Sequence, residues 1–334
     1  MISPIFIVGT QRSGSNLLRL MLNESKEIFA PHPPHILKTF FPLLSLYGDF
    51  RKYENHIRLV SDVCEFVKKN PVEWDVIPNK ESVAERVKSR KLIDIMARIY
   101  EFGAEAKGAN YWCCKSMANV AFLPEIYKVL PNAKFIYLYR DGRDVALSFA
   151  KAFVGEKHVY SVAKQWEKDQ SFALKFKEKC PENQFFSLQY ETFIQSPESE
   201  LKRLCAFLGV VFQPEMMRYY QSKESQKAAE SGEMWKNVVK PVLSGNHLKF
   251  LTESPPEQIR IFEMEAGETL RRLGYPILNE DFAVSAFSTT EIQAFEAENE
   301  KLKQEILAKL DPSELEKRKG QEKLLAKIKR YKYA

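Results

Sequence analysis

The glycine loop at the start of this sequence, G-T-Q-R-S-G-S-N (residues 9–16), has no lysine after its second glycine. Ser15 and Asn16 stand where a nucleotide-hydrolysing phosphate loop has its lysine and its magnesium-binding hydroxyl, so Arg12 is the only cation in the loop. That absence argues against a P-loop kinase or NTPase, which uses both groups. Cysteine is sparse. The five present are odd in number and fit neither a zinc spacing nor a disulfide framework, which predicts a reducing compartment. Cys113 and Cys114 are adjacent in an expected strand, so they point to opposite faces as packing residues. No basic and apolar leader precedes the first strand, and no run of about 18 apolar residues occurs, so a cytoplasmic chain without a transmembrane segment is expected. The net charge of +6 is local: residues 301–334 hold eleven Lys and Arg against five acids, which accounts for all of it. A neutral body excludes a general nucleic-acid binder and confines any polyanion or membrane preference to the tail.

What is present alternates. The apolar run Ile5 to Val8 leads through Gly9 to Leu17, Leu18, Met21 and Leu22 at helical spacing. A short strand is expected over 27–31 and further strands over 111–115, 133–140 and 184–190, with helices over about 118–130, 143–153, 158–179 and 256–273. Residues 36–108 read as mixed and helical, without a repeat. Strands alternating with helices predict an α/β fold, a P-loop-type parallel sheet flanked by helices on both faces. Ligands bind such sheets beyond the carboxyl ends of the strands, where Arg12, Lys115 and Arg140 all fall. The expected organisation is a catalytic domain over residues 1–285 and a charged helical C-terminal extension over 286–334.

Two constellations carry chemistry. In the first loop, Gly9 and Gly14 permit tight turns, and the amides opening the helix form an anion nest; the simpler alternative is that Ser13 or Ser15 caps that helix. In the second, Y-R-D-G-R-D-V-A-L-S, Arg140 ends a strand and Ser148 follows eight residues later, so both could grip one dianion. Arg140 could equally pair with Asp141 or Asp144.

Together the two resemble the sulfotransferases that use 3′-phosphoadenosine 5′-phosphosulfate (PAPS). Q-R-S-G-S-N is similar to their 5′-phosphosulfate loop and Y-R-D-G-R-D-V-A-L-S to their 3′-phosphate motif; L-Q-Y-E-T-F-I-Q-S-P is similar to the family's Tyr-Glu-Asp segment, and V-K-P-V-L-S-G-N-H-L-K to a late segment of the tyrosylprotein and bacterial branches. The resemblance covers about residues 4–275. It implies that Arg12, Ser13, Gly14, Ser15 and Asn16 cradle the 5′-phosphosulfate. Arg140 and Ser148 would hold the 3′-phosphate with Arg143 assisting, Tyr190 would lie near the nucleoside, and Lys249 would close over the 3′-phosphate. It implies PAPS as donor, 3′,5′-diphosphoadenosine (PAP) as product, and no required metal. Arg12 and Lys115 are the candidates for meeting charge on the leaving phosphate, although C-C-K-S departs from the Lys-Thr-Pro of many bacterial members. Where many relatives carry a glutamate base this chain reads F-A-P-H-P-P-H, which leaves His32 first and His35 second as base. The acceptor stays open among small-molecule, carbohydrate, lipid and peptide hydroxyls.

The tail offers a further reading. Ile292, Phe295, Asn299, Leu302 and Ile306 recur at steps of three and four, a seam that two copies could share or that could pack back on the catalytic domain. Asp311, Pro312 and Glu314 then read as the cap of a second helix, and no catalytic group is recognised in the tail. A non-catalytic scaffold acting through this tail is the alternative from another functional class.

Overall fold

The computed structural model describes residues 2–279 and 286–331; the side chains of residues 233, 234 and 314 are outside it. The expected domain boundary at 285 and the Glu314 half of the expected cap therefore fall outside the described residues.

Five strands form one parallel sheet: β1 (Ser3–Val8), β2 (Ile28–Phe29), β3 (Tyr111–Cys114), β4 (Lys134–Tyr139) and β5 (Phe185–Gln189), in the spatial order β2-β3-β1-β4-β5. The registers set Ile5 beside Cys113 and Lys134, and Leu138 beside Leu188. The strands are apolar on both sides because both faces are covered. Phe6, Trp112, Cys114, Phe135 and Tyr137 face a core built with helices Tyr53–Lys68 and Leu92–Lys107. Their neighbours Ile5, Ile7, Cys113, Ile136 and Leu138 face a second core with helices Ser15–Asn23 and Pro197–Leu208. The two adjacent cysteines thus enter different cores, and all five cysteines are free and buried. Among the described residues no helix is long and apolar enough to cross a membrane.

The chain leaves β1 toward one sheet edge and later returns to β4 on the other side of β1, so a crevice opens between the carboxyl ends of β1 and β4. Local departures from expectation have simple causes. The strand expected over 27–31 pairs only at Ile28 and Phe29, because it lies at the sheet edge before three prolines. The helix expected over 118–130 is a 3₁₀ turn, Met117–Phe122, followed by a helix, Leu123–Val129, restarted at Pro124, whose missing N–H suits a first turn.

The tail folds against its own chain. In the helix Thr289–Ala308, Ile292 and Phe295 pack on the third core, around Val145, Trp166 and Phe262. Asn299, 4% exposed, accepts from the Lys157 and His158 amides at 2.7 and 3.0 Å. Three of the five seam residues are thus engaged within the molecule, while Leu302 and Ile306 line a pocket beside His158 and Phe262. The last helix, Lys319–Ile328, sinks Leu324 and Ile328 into the first core.

Candidate active site

The loop after β1 is held by backbone geometry that few residues tolerate. A Cβ on Gly9 would come within 2.3 Å of the Leu138 carbonyl oxygen, and one on Gly14 within 2.4 Å of the Tyr190 ring. Arg12 itself has φ 71°, a left-handed conformation costly for a non-glycine residue. Gly14 caps the helix Ser15–Asn23 without any side-chain hydrogen bond, so the opening amides have no serine cap. Ser13 is fully buried with its Oγ unpartnered, and Asn16 Nδ2 is also buried without a partner. Buried polar atoms are nearly always satisfied, so these two, beside uncapped amides, suit an anionic ligand.

The second motif meets the first. Arg12 Nε donates to Ser148 Oγ at 3.0 Å, and Arg140 Nη1 donates to the Arg12 carbonyl at 3.1 Å. The Arg140 guanidinium lies 4.5 Å from the Tyr190 ring centroid, donates to the Asn246 carbonyl at 3.0 Å, and keeps Nε buried and unpartnered. Asn246 Nδ2 donates in turn to the Tyr190 hydroxyl at 2.7 Å. Arg140 does reach Asp144, at 3.4 Å, whereas Asp141 is taken by Arg143. Burial and then the nearby Arg140 lower the Arg12 pKa to about 10. Two guanidiniums packed this closely suit a polyanion.

Beside this lies Lys115, at the end of β3. Burial, then Arg19 and Arg12, lower its pKa to about 7, and it makes no hydrogen bond or ion pair among the described residues. Arg19 is fully buried and was not singled out from the sequence. Its Nε donates to Asn16 Oδ1 at 2.9 Å, which orients the Asn16 amide, and its Nη1 pairs with Glu224 at 2.7 Å. The available signal was a cation inside the apolar helical run L-L-R-L-M-L.

Both histidines line the same cleft of about 590 Å³. Burial, then Lys115, holds His35 down at about 3, and His32 is also held well below the ordinary histidine value by burial, Lys115 and Arg19. Each is therefore neutral at pH 7. His35 has φ 57° and its Nδ1 lies 2.8 Å from Ser116 Oγ. When Nδ1 carries the hydrogen and donates to that hydroxyl, Nε2 is left as a proton acceptor. His32 is held differently. Asn70 Nδ2 donates to the Val72 carbonyl at 2.7 Å, and its second hydrogen is directed between His32 O and Nδ1, both at 3.4 Å. That arrangement favours hydrogen on His32 Nε2, the atom without a partner.

Two residues carried over by resemblance sit elsewhere. Lys249 is exposed and does not line the cleft; Asn246, three residues earlier, does. Arg143 is turned inward, paired with Asp141 and Glu263 and donating to the Pro276 carbonyl at 2.9 Å. The tail, in which no active-site group was recognised, brings Arg318, Gln321, Glu322 and Leu325 to the cleft.

Comparison with known proteins agrees with this geometry. The chain is 23% identical over 277 residues to protein-tyrosine sulfotransferase A of Caenorhabditis elegans, covering 81% of this chain and 67% of that protein. It is 22% identical over 244 residues to an uncharacterized protein of Aquifex aeolicus, covering 70% of this chain but only 29% of that longer relative. Its fold is similar to the sulfotransferase domain of the Synechococcus PCC 7002 olefin synthase, with TM-score 0.54, 21% identity, and coverage of 78% of this chain and 94% of that domain. Residues 4–214, more than half the chain and all five strands, match the model of the sulfotransferase family, and the chain belongs to that family.

Proposed function

We propose that this chain transfers a sulfuryl group from PAPS to a hydroxyl acceptor, without a metal ion in the step. The observation that carries the reading is the junction of Arg12 with Ser148 at 3.0 Å and with Arg140 at 3.1 Å, which joins the two motif regions in one cleft. The unpartnered Ser13 Oγ, Asn16 Nδ2 and Arg140 Nε fit the same donor, because each can donate to phosphate or sulfate oxygen.

In this reading the residues divide the work. Gly14, Ser15 and Asn16 present amides and donors to the 5′-phosphosulfate, while Arg140 and Ser148 hold the 3′-phosphate and Tyr190 borders the nucleoside. Arg19 acts through Asn16 as a positioning residue. Arg12 and Lys115 put positive charge where negative charge grows on the leaving phosphate. Bound PAPS supplies the sulfuryl group. His35 takes the proton of the acceptor hydroxyl at Nε2, supported by its contact with Ser116, and His32 offers an Nε2 hydrogen bond to the same region. This reverses the order expected from sequence position. The likeness to a protein-tyrosine sulfotransferase brings tyrosine phenols into the acceptor panel, beside carbohydrate and lipid hydroxyls.

Thermal melting tests the donor. PAP without magnesium should raise the melting temperature, and ATP should do so poorly. Stabilisation by ATP with magnesium, and none by PAP, would replace this reading with a nucleotide kinase. Labelled PAPS with an acceptor panel, read by product mass, then identifies the acceptor class.

A further inference from the structure

We infer that the C-terminal segment Lys317–Leu325 is a fixed wall of the acceptor chamber: it contacts the acceptor and shields the sulfuryl-transfer centre from water. The inference rests on the sulfotransferase reading of the cleft, and it concerns residues outside the 4–214 family match.

Three separate parts of the molecule border the cleft that His32 and His35 line: the segment around Trp235, the loop containing Val154 and Gly155, and the end of helix Tyr53–Lys68 at Phe66. The tail touches each of these parts or its chain neighbours. Lys317 Nζ donates to the Glu230 carbonyl at 2.8 Å, just before Trp235. The Arg318 guanidinium lies 4.8 Å from the Phe153 ring centroid, next to Val154. Gln321 Nε2 donates to the Phe66 carbonyl at 3.0 Å. Nine consecutive residues thus join walls that are otherwise far apart in the chain.

The segment is anchored from behind. Leu324 and Ile328 are 7% and 0% exposed in the first core, and the Tyr331 hydroxyl donates to Asp62 at 2.9 Å. With that face fixed, Gln321, Glu322 and Leu325 face the cleft alongside Arg318. The stretch that follows Val154 and Gly155 is pinned as well, through Asn299 and the amides of Lys157 and His158. Arg318 is also near enough to disfavour protonation of both His32 and His35. An acceptor that presents its hydroxyl to these histidines shares the cleft with this wall, whose side chains are thus placed to select among acceptors. With no acceptor present, Leu325 is the apolar group on this wall that limits entry of water.

The test needs no identified acceptor, because water can stand in for one. Its oxygen bonds to sulfur as the sulfur bond to the donor phosphate oxygen breaks, giving sulfate, PAP and the two protons of the water. Full-length Leu325→Ala should bind PAP with unchanged affinity by calorimetry, yet release PAP from PAPS without acceptor about threefold faster or more. Gln321→Ala, which loses the tether to Phe66, should move the same way. Leu315→Ala, on the exposed part of the tail, should behave as wild type. Wild-type release rates in both folded Leu325→Ala and Gln321→Ala would overturn the inference, as would loss of PAP affinity in Leu325→Ala, which would put the segment on the donor side. Failure of the wild type to bind PAP would instead remove the donor reading on which the inference stands.

Discussion

Arg12 and Ser148 are 136 residues apart in sequence, and the guanidinium Nε of one donates to the hydroxyl of the other at 3.0 Å. One belongs to the turn after β1 and the other to the helix Gly142–Ala150 after β4, so the contact spans the crevice where the strand order reverses. In the proposed reading each residue takes part of one polyanion.

Arg140→Ala should therefore weaken PAP binding by about 2 to 4 kcal/mol, the scale for losing a buried charge-assisted contact. Calorimetry on a variant with a normal melting curve measures it. Unchanged affinity would remove Arg140 from the 3′-phosphate site.

Lys115 leads to a proton count. Its pKa of about 7 in the free protein leaves it mostly neutral at pH 8, and a neighbouring polyanion favours the charged form. PAP binding at pH 8 should take up close to one proton, seen as a dependence of binding enthalpy on buffer ionisation enthalpy. The uptake should vanish in Lys115→Met. If it persists there, another group is titrating.

The histidines separate by turnover. His35→Ala should lower turnover by about 10²-fold or more with PAP affinity kept, and His32→Ala should have a smaller effect. The opposite ranking would restore His32 as the base, as its position in the sequence suggested.

Acid should loosen the fold before most carboxylates titrate. The unfolded chain protonates histidine near its ordinary value of about 6.5, whereas folded His35 resists until about 3, so stability is lost as pH falls through that window. Burial first also lowers His56 and His158, and the slope has the same sign for them. Melting temperatures between pH 6.5 and 5 should decline less steeply in His35→Gln than in wild type.

The tail helix contributes to the core independently of any role at the cleft. Ile328→Ala deletes a fully buried side chain and should cost about 2 to 4 kcal/mol in urea unfolding, with PAP affinity retained in the folded protein. A loss of less than about 0.5 kcal/mol would mean that the helix is not docked as described.

Much of this was legible in the sequence for a physical reason. Gly9, Arg12 and Gly14 act through backbone geometry within one short loop, and the apolar runs of β1 and β4 report burial on both faces directly. Arg140 and Ser148 are eight residues apart on one strand–helix unit, so their shared region follows from helix geometry. Arg19, Asn246 and Gln321 were not legible as site residues, because each acts through a partner fixed only by the tertiary fold: Asn16 and Glu224, Tyr190, and the Phe66 carbonyl. The two histidines expected from the sequence both line the cleft, but the order proposed for them depends on hydrogen bonds to Ser116 and Asn70, which lie 81 and 38 residues away.

The contacts around Arg140 close on themselves: Arg140 touches Tyr190, Tyr190 bonds Asn246, and the Asn246 carbonyl returns to Arg140. Energies measured by substituting Tyr190 and Asn246 one at a time will not add, because their hydrogen bond is lost with either side chain. A double-mutant cycle on Tyr190 and Asn246 should show the second substitution costing much less than the first. A scan of single alanines would then credit that bond to both of its partners, and a related chain that has lost one of the two has less reason to keep the other.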